Sequence, residues 1–458
     1  MKATFDNSFA RLPSRMFTAM NPTPVKDPSL ITTNATLAAA IGVTFDDKDL
    51  AHFAGNSVPD GADPLAQLYA GHQFGHWNPQ LGDGRAILLG EAINDGQRHD
   101  IQLKGAGHTP YSRGGDGRAW LGPVLREYVV SEAMHALGVP TTRALAAVTT
   151  GEDVYRETVL PGAILTRVAR SHLRVGTFQI YAARGQTDLL QALCAYAIDR
   201  HYPEADGPAA LLEAAISAQA KLIADWMGLG FIHGVMNTDN ASIVGETIDY
   251  GPCAFMDSYH PARVFSSIDQ LGRYAYQNQP QIAAWNMAQL ATSLIPLMPD
   301  QDKAIEDFTK AVNGLIPQYE AAWRTVFGRK LGISNMTEDD VPLVSDLLSI
   351  MAEDQADFTN VFANLDAARD QFLNRDAYDA WHARWSERRN TDPINPRIIP
   401  RNHQVEAMIQ AAVAGDFAPF HALLAAVTDP FAPLTESTKA YAKPPTEEEA
   451  VTRTFCGT

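Results

Sequence analysis

The stretch HGVMNTDNASIVGETIDYG, residues 233–251, decides how the rest of the chain is interpreted. Asn240 and Asp249 flank the segment ASIVGETI, which predicts a short β-hairpin with Gly245 in its turn. That hairpin would bring an amide oxygen and a carboxylate together, and hard oxygen ligands of this kind suit Mg²⁺ or Mn²⁺. Asp239 is the adjacent carboxylate that is available to accept a proton. The stretch therefore predicts a divalent-cation site beside a general base, with a polar turn capped by Asp and Asn as the alternative.

The same stretch has the outline of a phosphoryl-transfer catalytic loop, with one departure. Where a kinase-type loop places its catalytic Asp, shortly after the His, this chain has Val235. The sequence therefore describes either an inactive kinase-like protein or a protein that runs a different reaction on a similar frame.

A first glycine-rich loop, LGDGRAILLGE at 81–91, precedes this stretch and suits contact with a phosphate. Gly82 and Gly84 lie between β-like flanks and allow close approach of the backbone, and Arg85 adds a fixed positive charge. An ordinary tight hairpin has the same pattern, so this loop alone leaves both interpretations open.

A second glycine-rich loop, YSRGGDGRAWLG at 111–122, contains Asp116 and Gly117. It comes just before 123–138, which predicts a helix because Pro suits its first turn and Gly suits its end. Backbone N–H groups at the start of that helix favour an anion, and a flexible connector is the alternative.

A strand and a helix carry a candidate Lys–Glu pair. The runs GRAILLGEAI and RHDIQLKG, separated by the turn NDGQ, predict two strands, and the second ends at Lys104. Glu127 lies on the predicted helix that follows. A helix Glu paired with a strand Lys is the arrangement that positions the Lys on nucleotide phosphates. Surface Lys and Glu are common, so an unrelated solvated pair is the alternative.

Arg167, Arg170 and Arg174 cluster in LTRVARSHLRVGTFQ at 165–179. On a helix they would share a face, whereas on an extended segment some of them would point inward. In a chain with a formal net charge of −17 the cluster suggests an anion site, and a solvated basic face is the alternative.

The histidines and cysteines give weaker signals. His72 and His76 have the spacing of helical metal ligands, but neighbouring glycines interrupt any helix, and we interpret both as structural. Cys194, Cys253 and Cys456 form no C-x-x-C pair, which fits neither a disulfide scaffold nor a cysteine-based zinc site. A C-terminal tail could bring Cys456 to the loop that holds Cys253, so a reversible disulfide between them is a hypothesis.

Composition and charge limit which partners and which cellular compartment we expect for this protein. Hydrophobic residues make up 46% and charged residues 19% of the chain, as in ordinary globular proteins. We expect no membrane span, because no apolar run is long enough, and a cytoplasmic protein, because the first residues lack the apolar core of a secretory signal. A net charge of −17 repels phosphate backbones, so nucleic acid is not an expected partner.

The order of elements predicts an α+β protein with two lobes and a cleft that suits ATP. Helices are predicted at 187–201 and 208–228, ahead of a mainly helical remainder. The predicted divisions are an N-terminal extension packing on the core (1–60), a small β-rich lobe with the glycine-rich loops (61–150), a larger helical lobe with the metal loop (151–265), a helical C-terminal region (266–430) and a tail with Cys456 (431–458).

Together these segments resemble the selenoprotein O family, also called the YdiU family. The resemblance rests on long motifs from about residue 69 onward: YAGHQFGHWNPQLGDGRA, IQLKGAGHTPYSRGGDGRAWLG, TRVARSHLRVGTFQ, HGVMNTDNASIVGETIDYGPCAFMD and the terminal TFCGT. It implies a protein-kinase-like fold that lacks the usual catalytic Asp and binds ATP in an inverted orientation. It also implies transfer of AMP from ATP to Ser, Thr or Tyr hydroxyls of proteins, this protein itself included, with release of pyrophosphate.

By motif, the resemblance implies a role for each candidate residue. The proton acceptor would be Asp239, the metal ligands would be Asn240 and Asp249, and Glu127 would orient Lys104. The residues expected to contact ATP are Gly82, Gly84, Arg85, Lys104, Asp116, Gly117, Arg167, Arg174 and Asp249.

The chain departs from the family pattern at two positions. Cys456 stands where many members carry selenocysteine, so redox control through Cys253 would here use two thiols. Trp120 replaces an expected smaller aliphatic residue beside the second glycine-rich loop.

Two other functions stay open. One is a protein kinase that uses Asp239 and transfers the γ-phosphoryl group, and the other is a catalytically silent, redox-linked ATP-binding scaffold. Val235, at the position of the kinase Asp, makes the kinase less favoured. The presence of Lys104, Asn240 and Asp249 makes the silent protein less favoured.

Overall fold

The β-like runs of the first half of the chain form one large antiparallel sheet in the computed structural model, which describes residues 1–455. The strands are β1 (Phe5–Asp6), β2 (Phe17–Ala19), β3 (Ser29–Thr33), β4 (Leu65–Gln67), β5 (Gly71–Gln73), β6 (His76–Asn78), β7 (Ala86–Asn94), β8 (Gln97–Lys104), β9 (Ala119–Trp120), β10 (Arg143–Tyr155), β11 (Val159–Ala169), β12 (Phe231–Ile232) and β13 (Ala254–Phe255). The main sheet has the order β2-β4-β7-β8-β11-β10-β3, with β1 paired to β7 and β9 paired to β11. β5 pairs with β6, and β12 pairs with β13, as two separate small sheets.

Helices are interleaved with the strands of this sheet and continue along the chain after it. They are α1 (Ala35–Ala40), α2 (Leu50–Phe53), α3 (Leu121–Ala136), α4 (Val175–Ala183), α5 (Thr187–His201), α6 (Pro208–Leu229), α7 (Gln279–Leu294), α8 (Gln301–Asn313), α9 (Leu315–Leu331), α10 (Val341–Asp354), α11 (Phe358–Ala363), α12 (Arg375–Arg388), α13 (Asn402–Val413), α14 (Ala418–Val427) and α15 (Lys439–Ala442). Within residues 1–455 none of them is both long and apolar enough to cross a membrane. The protein is therefore a mixed α/β molecule with a large antiparallel sheet and many helices.

The β7–β8 hairpin has the turn that its sequence predicts. Asp95 and Gly96 both adopt positive φ, at 48° and 76°, which is the geometry of a tight two-residue turn matched to the twist of the strands. In β8 the side chains alternate, so that Ile101 and Leu103 enter the apolar core while Lys104 faces the other way. The turn and the alternation together place Lys104 at the end of a buried strand.

α3 lies behind the sheet and is buried nearly all round. Its residues Leu125 and Val129 pack with Leu165 of β11 and with Phe420 of α14 in one hydrophobic cluster. Because α3 packs against both β10 and β11, its position relative to the end of β8 is fixed. Glu127 is held on this helix, facing the sheet rather than solvent.

Helix α6 positions the start of the loop 233–251. The helix begins at Pro208, a position where the missing N–H is tolerated, and it ends at Leu229, followed by Gly230 in a left-handed conformation with φ of 66°. The chain then forms the short strand β12 and enters the loop 233–251. The loop is thus anchored at its start by a long buried helix.

The prediction of a β-hairpin in ASIVGETI is wrong. Ser242 pairs with Arg174 and Thr247 pairs with Thr141, so the two halves of the segment find partners in different parts of the chain and not in each other. The Trp226 indole also donates to the Thr247 hydroxyl at 2.9 Å. Only the turn at Gly245 is confirmed, with φ of 68°. Tertiary pairing overrides the local hairpin pattern here.

Candidate functional site

A cavity of about 640 Å³ lies where the two glycine-rich loops, the end of β8 and the loop 233–251 meet. Segments far apart in sequence therefore share one cleft. Its lining includes Gly82, Gly84, Arg85, Lys104, Asp116, Gly117, Arg167, Arg174, Asp239, Asn240 and Asp249.

A buried ion-pair chain crosses the inner end of the cavity. Lys104 Nζ lies 2.5 Å from Glu127 Oε2 and 3.1 Å from Asp249 Oδ1. Arg167 donates to the other Glu127 oxygen at 3.2 Å. Burial acts to raise the pKa of both carboxyls, but the Lys104 and Arg167 charges outweigh it and hold each pKa below its ordinary value. Both carboxylates are therefore charged, and the Lys is fixed in place by two of them.

Arg174 presents an unused donor to the cavity. Its guanidinium lies 4.4 Å from the centre of the Tyr69 ring and 3.9 Å from Asp83 Oδ1. Another of its nitrogens donates to the Asp239 backbone carbonyl at 3.2 Å. Its Nη2 is buried and has no hydrogen-bond partner in the described part of the chain. A buried guanidinium nitrogen of this kind is suited to an incoming phosphate oxygen.

The three arginines of 165–179 line two different cavities. Arg167 lies on β11 and lines the cavity, where it also donates to Gln102 at 2.5 Å. Arg170 instead lines a separate cavity of about 520 Å³, next to Arg200. The extended interpretation of this segment is the correct one, because only some of its arginines point inward.

The second glycine-rich loop is fixed by an ion pair that was not expected from sequence. Arg156, which follows β10, contacts both Asp116 oxygens at 2.9 and 3.1 Å. This hydrogen-bonded ion pair lowers the pKa of Asp116. Gly117 has φ of 69°, and a Cβ atom there would lie 2.0 Å from the Gly107 carbonyl oxygen, so no other residue fits without a shift. The ion pair and the close approach of Gly117 to Gly107 both restrict the loop where it lines the cavity.

Asp239 is a buried carboxylate with one free oxygen. Gln73 donates to Oδ2 at 2.9 Å, while Oδ1 has no hydrogen-bond partner among residues 1–455. Burial raises the pKa of Asp239 to about 6. A carboxylate that is ionised near neutral pH, yet more basic than usual, suits a general base.

Asn240 and Asp249 both line the cavity, so their oxygen atoms can be compared with the ligands that a divalent cation prefers. The Asn240 amide nitrogen donates to the Val235 carbonyl at 3.0 Å, which leaves its Oδ1 as an available acceptor. Amide and carboxylate oxygens are the donors that Mg²⁺ takes together with nucleotide phosphates. In the described residues no group of three or more His, Cys, Asp or Glu could hold a metal by itself. The two side chains fit a cation that also has phosphate or water ligands.

Cys253 lies one residue from a contact with the C-terminal tail. Burial raises the pKa of the Cys253 thiol to about 12. The tail reaches the adjacent residue, since the Thr454 hydroxyl donates to the Pro252 carbonyl at 2.5 Å. Cys456 lies outside the described residues.

Several lining residues were not singled out from sequence. Gln73, Tyr69, Asp83 and Arg156 all line the cavity. The first three stand in YAGHQFGHWNPQLGDGRA, so the length of that motif was the available signal, whereas the position of Arg156 gave none.

Comparison with known proteins identifies the family. The family model described as "Protein adenylyltransferase SelO" matches residues 1–387. The protein nucleotidyltransferase YdiU of Roseobacter denitrificans is 63% identical, over 100% of this chain and 99% of that protein. Proteins with the same name from Ruegeria sp. strain TM1040 and Methylorubrum populi are 61% and 54% identical, each over 99% of both chains. The chain belongs to the SelO family of protein adenylyltransferases.

Proposed function

We propose that this protein transfers AMP from ATP to a Ser, Thr or Tyr hydroxyl of a protein, with release of pyrophosphate. The family description and the names of the relatives support a nucleotide substrate and a protein target. The observation that carries the proposal is the arrangement of the cavity. Lys104, Arg167 and Arg174 line it together with Asp239, whose Oδ1 has no partner in the described residues.

In this proposal the positively charged side chains of the cavity bind the triphosphate of ATP. Lys104 and Arg174 lie in a site largely shielded from water, where fixed charges act more strongly on phosphates than they do in solution. The two glycine-rich loops line the same cavity, and Arg85 of the first loop adds a further positive charge. We infer that these groups hold ATP with its α-phosphorus toward Asp239.

Asp239 would then accept the proton of the attacking hydroxyl. The hydroxyl oxygen forms a bond to the α-phosphorus, the bond from that phosphorus to the bridging oxygen breaks, and pyrophosphate leaves with the electron pair. The proton moves to Asp239, whose pKa of about 6 leaves it ionised and able to accept at neutral pH. Positioning and charge stabilisation provide most of the catalysis, so a kinase-type Asp at position 235 is not required.

We also propose that Asn240 and Asp249 hold Mg²⁺ or Mn²⁺. A bound cation would neutralise charge on the phosphates during transfer. The Asn240 Oδ1 acceptor and the Asp249 carboxylate in the same cavity support this assignment.

We further propose that the chain has a protein-kinase-like two-lobe fold with the divisions inferred from sequence. In its favour, β7, β8, β10 and β11 share one sheet, while α7 to α15 come later in the chain. The cavity lies where β8 and the glycine-rich loops meet 233–251. In this arrangement the nucleotide would lie between the small and the large lobe.

Position-specific labelling of ATP tests the reaction. The protein is incubated with Mg²⁺, an acceptor protein mixture and ATP labelled on either the α- or the γ-phosphate. We expect α-label on protein and no γ-label, because AMP is the group that moves. Incorporation of γ-label alone would indicate a kinase, and no label in either arm would indicate a silent nucleotide-binding protein.

We propose, in addition, that Cys253 and Cys456 form a regulatory disulfide when two thiols lose two electrons and two protons to an oxidant such as oxidised glutathione. The contact of Thr454 with Pro252 supports this pairing. Reductant should then raise the transfer rate of the oxidised protein several-fold, because it releases the tail. Cys253→Ala should remove the response, whereas Cys194→Ala should keep it. An equal rate before and after reduction would contradict the disulfide.

A further inference from the structure

The β5–β6 hairpin lies directly on the loop that carries Asp239. The His72 backbone N–H donates to the Thr238 hydroxyl at 2.7 Å, and the Phe74 N–H donates to the Asn237 side chain at 3.1 Å. Between these two residues of the hairpin, Gln73 donates to Asp239. Three successive residues of the hairpin (72–74) therefore contact three successive residues of the loop (237–239). The hairpin is therefore a fixed neighbour of the candidate base.

The side-chain amide of Gln73 donates to Asp239, and a hydrogen bond from Asn78 sets the orientation of that amide. Asn78 Nδ2 donates to Gln73 Oε1 at 3.1 Å, and Gln73 Nε2 donates to Asp239 Oδ2 at 2.9 Å. Because the Gln oxygen is occupied by the Asn78 donor, the NH₂ group is the end that faces the carboxylate. The bond fixes Oδ2 and leaves Oδ1 as the oxygen without a protein partner in the described chain.

The hairpin also packs closely on Asp239. A Cβ atom at Gly71 would lie 2.8 Å from Asp239 Oδ1, so a larger residue at this position would displace that oxygen. Phe74 in the hairpin turn has φ of 52°, which is strained for a bulky residue. Its N–H is held by Asn237 and by the Tyr274 hydroxyl, both at 3.1 Å, and such strain persists only where surrounding contacts fix it.

We propose that Gln73 is a positioning residue that aims Asp239 Oδ1 at the hydroxyl of the protein substrate. This inference rests on the proposed AMP transfer, because it assigns Asp239 the role of proton acceptor. Gln73 acts through Asp239 and not on ATP. A misplacement of the base by about 1 Å costs about a hundredfold in rate, so loss of this hydrogen bond should lower kcat with little effect on nucleotide binding.

Two substitutions separate positioning from a purely structural role. Gln73→Met removes both hydrogen bonds at similar volume. Gln73→Glu keeps the oxygen that Asn78 contacts, and so keeps the hairpin link, but it replaces the donor with a carboxylate that repels Asp239. We expect kcat to fall about tenfold to a hundredfold in the Met variant and further in the Glu variant. The Kd of ATP, measured by calorimetry, should stay within about twofold in both variants.

A matched control and a double-mutant cycle complete the test. His76, which is exposed and pairs with Gln73 across the same hairpin, should tolerate His76→Ala without loss of kcat. In an Asp239→Asn background, Gln73→Glu should cost nothing further, because there is no carboxylate to repel. Wild-type kcat in Gln73→Glu, or an equal loss in both backgrounds, would overturn the positioning role while leaving the proposed function intact. Absence of α-label transfer by the wild-type protein would instead overturn the function, and the positioning role with it.

Discussion

Asp249→Asn should reduce AMP transfer by more than about a hundredfold, since loss of groups that merely support metal ligands already costs tenfold to a hundredfold. The substitution keeps the shape of the side chain but removes its charge. It would weaken the proposed cation site that Asp249 shares with Asn240. It would also remove one of the two carboxylates that hold Lys104, at 3.1 Å. Cation binding would therefore be weakened together with one of the two ion pairs that place Lys104.

The measurement is transfer of α-label at saturating ATP over a range of Mg²⁺ concentrations. A raised Mg²⁺ requirement together with a lower kcat is expected. Asp225→Asn is the control, because Asp225 lies on α6 and pairs with Arg329 at 3.7 Å. Activity near wild type for Asp249→Asn would show that Asp249 is not a metal ligand, even if AMP transfer itself were confirmed.

Arg401→Met should lower the free energy of unfolding by about 3–5 kcal/mol, the usual result of breaking a buried charge network. The Arg401 side chain is 0% exposed and lies just before α13. It contacts Asp257 at 2.5 Å, Asp357 at 2.8 and 3.0 Å, and the Ala442 carbonyl at 3.0 Å. Methionine fills similar space but leaves two largely buried carboxylates without their cation.

Urea unfolding followed by circular dichroism measures this effect. Arg384→Met makes the same chemical change at an exposed pair, where Arg384 and Asp346 are 52% and 47% exposed. That control should change the unfolding free energy by less than about 1 kcal/mol. Equal small effects in the two variants would show that the buried network contributes no more than a surface ion pair.

Local patterns were sufficient for much of the fold. The predicted helices at 187–201 and 208–228 are confirmed by α5 (Thr187–His201) and α6 (Pro208–Leu229). The NDGQ turn is confirmed as well: Asp95 and Gly96 both have positive φ, a conformation that Asp and Gly tolerate better than most residues. In such places propensity, periodicity and turn chemistry all favour the same structure.

Pairing between distant segments could not be predicted in the same way. ASIVGETI has a hairpin pattern, yet Ser242 and Thr247 pair with residues outside it. The Asp116–Arg156 ion pair likewise depends on the sheet, which brings the end of β10 to the loop. The candidate residues could be named from their chemistry, but their partners depend on tertiary packing that a single sequence does not reveal.

The alternation in β8 has a consequence for how this protein can vary. A substitution in 97–104 changes one side chain and leaves the others on their own faces of the sheet. An insertion or deletion of one residue within the strand would exchange the two faces, moving Lys104 toward the core and Leu103 toward the cleft. Lineages of this protein are therefore expected to accumulate substitutions in β8 far more readily than changes in its length.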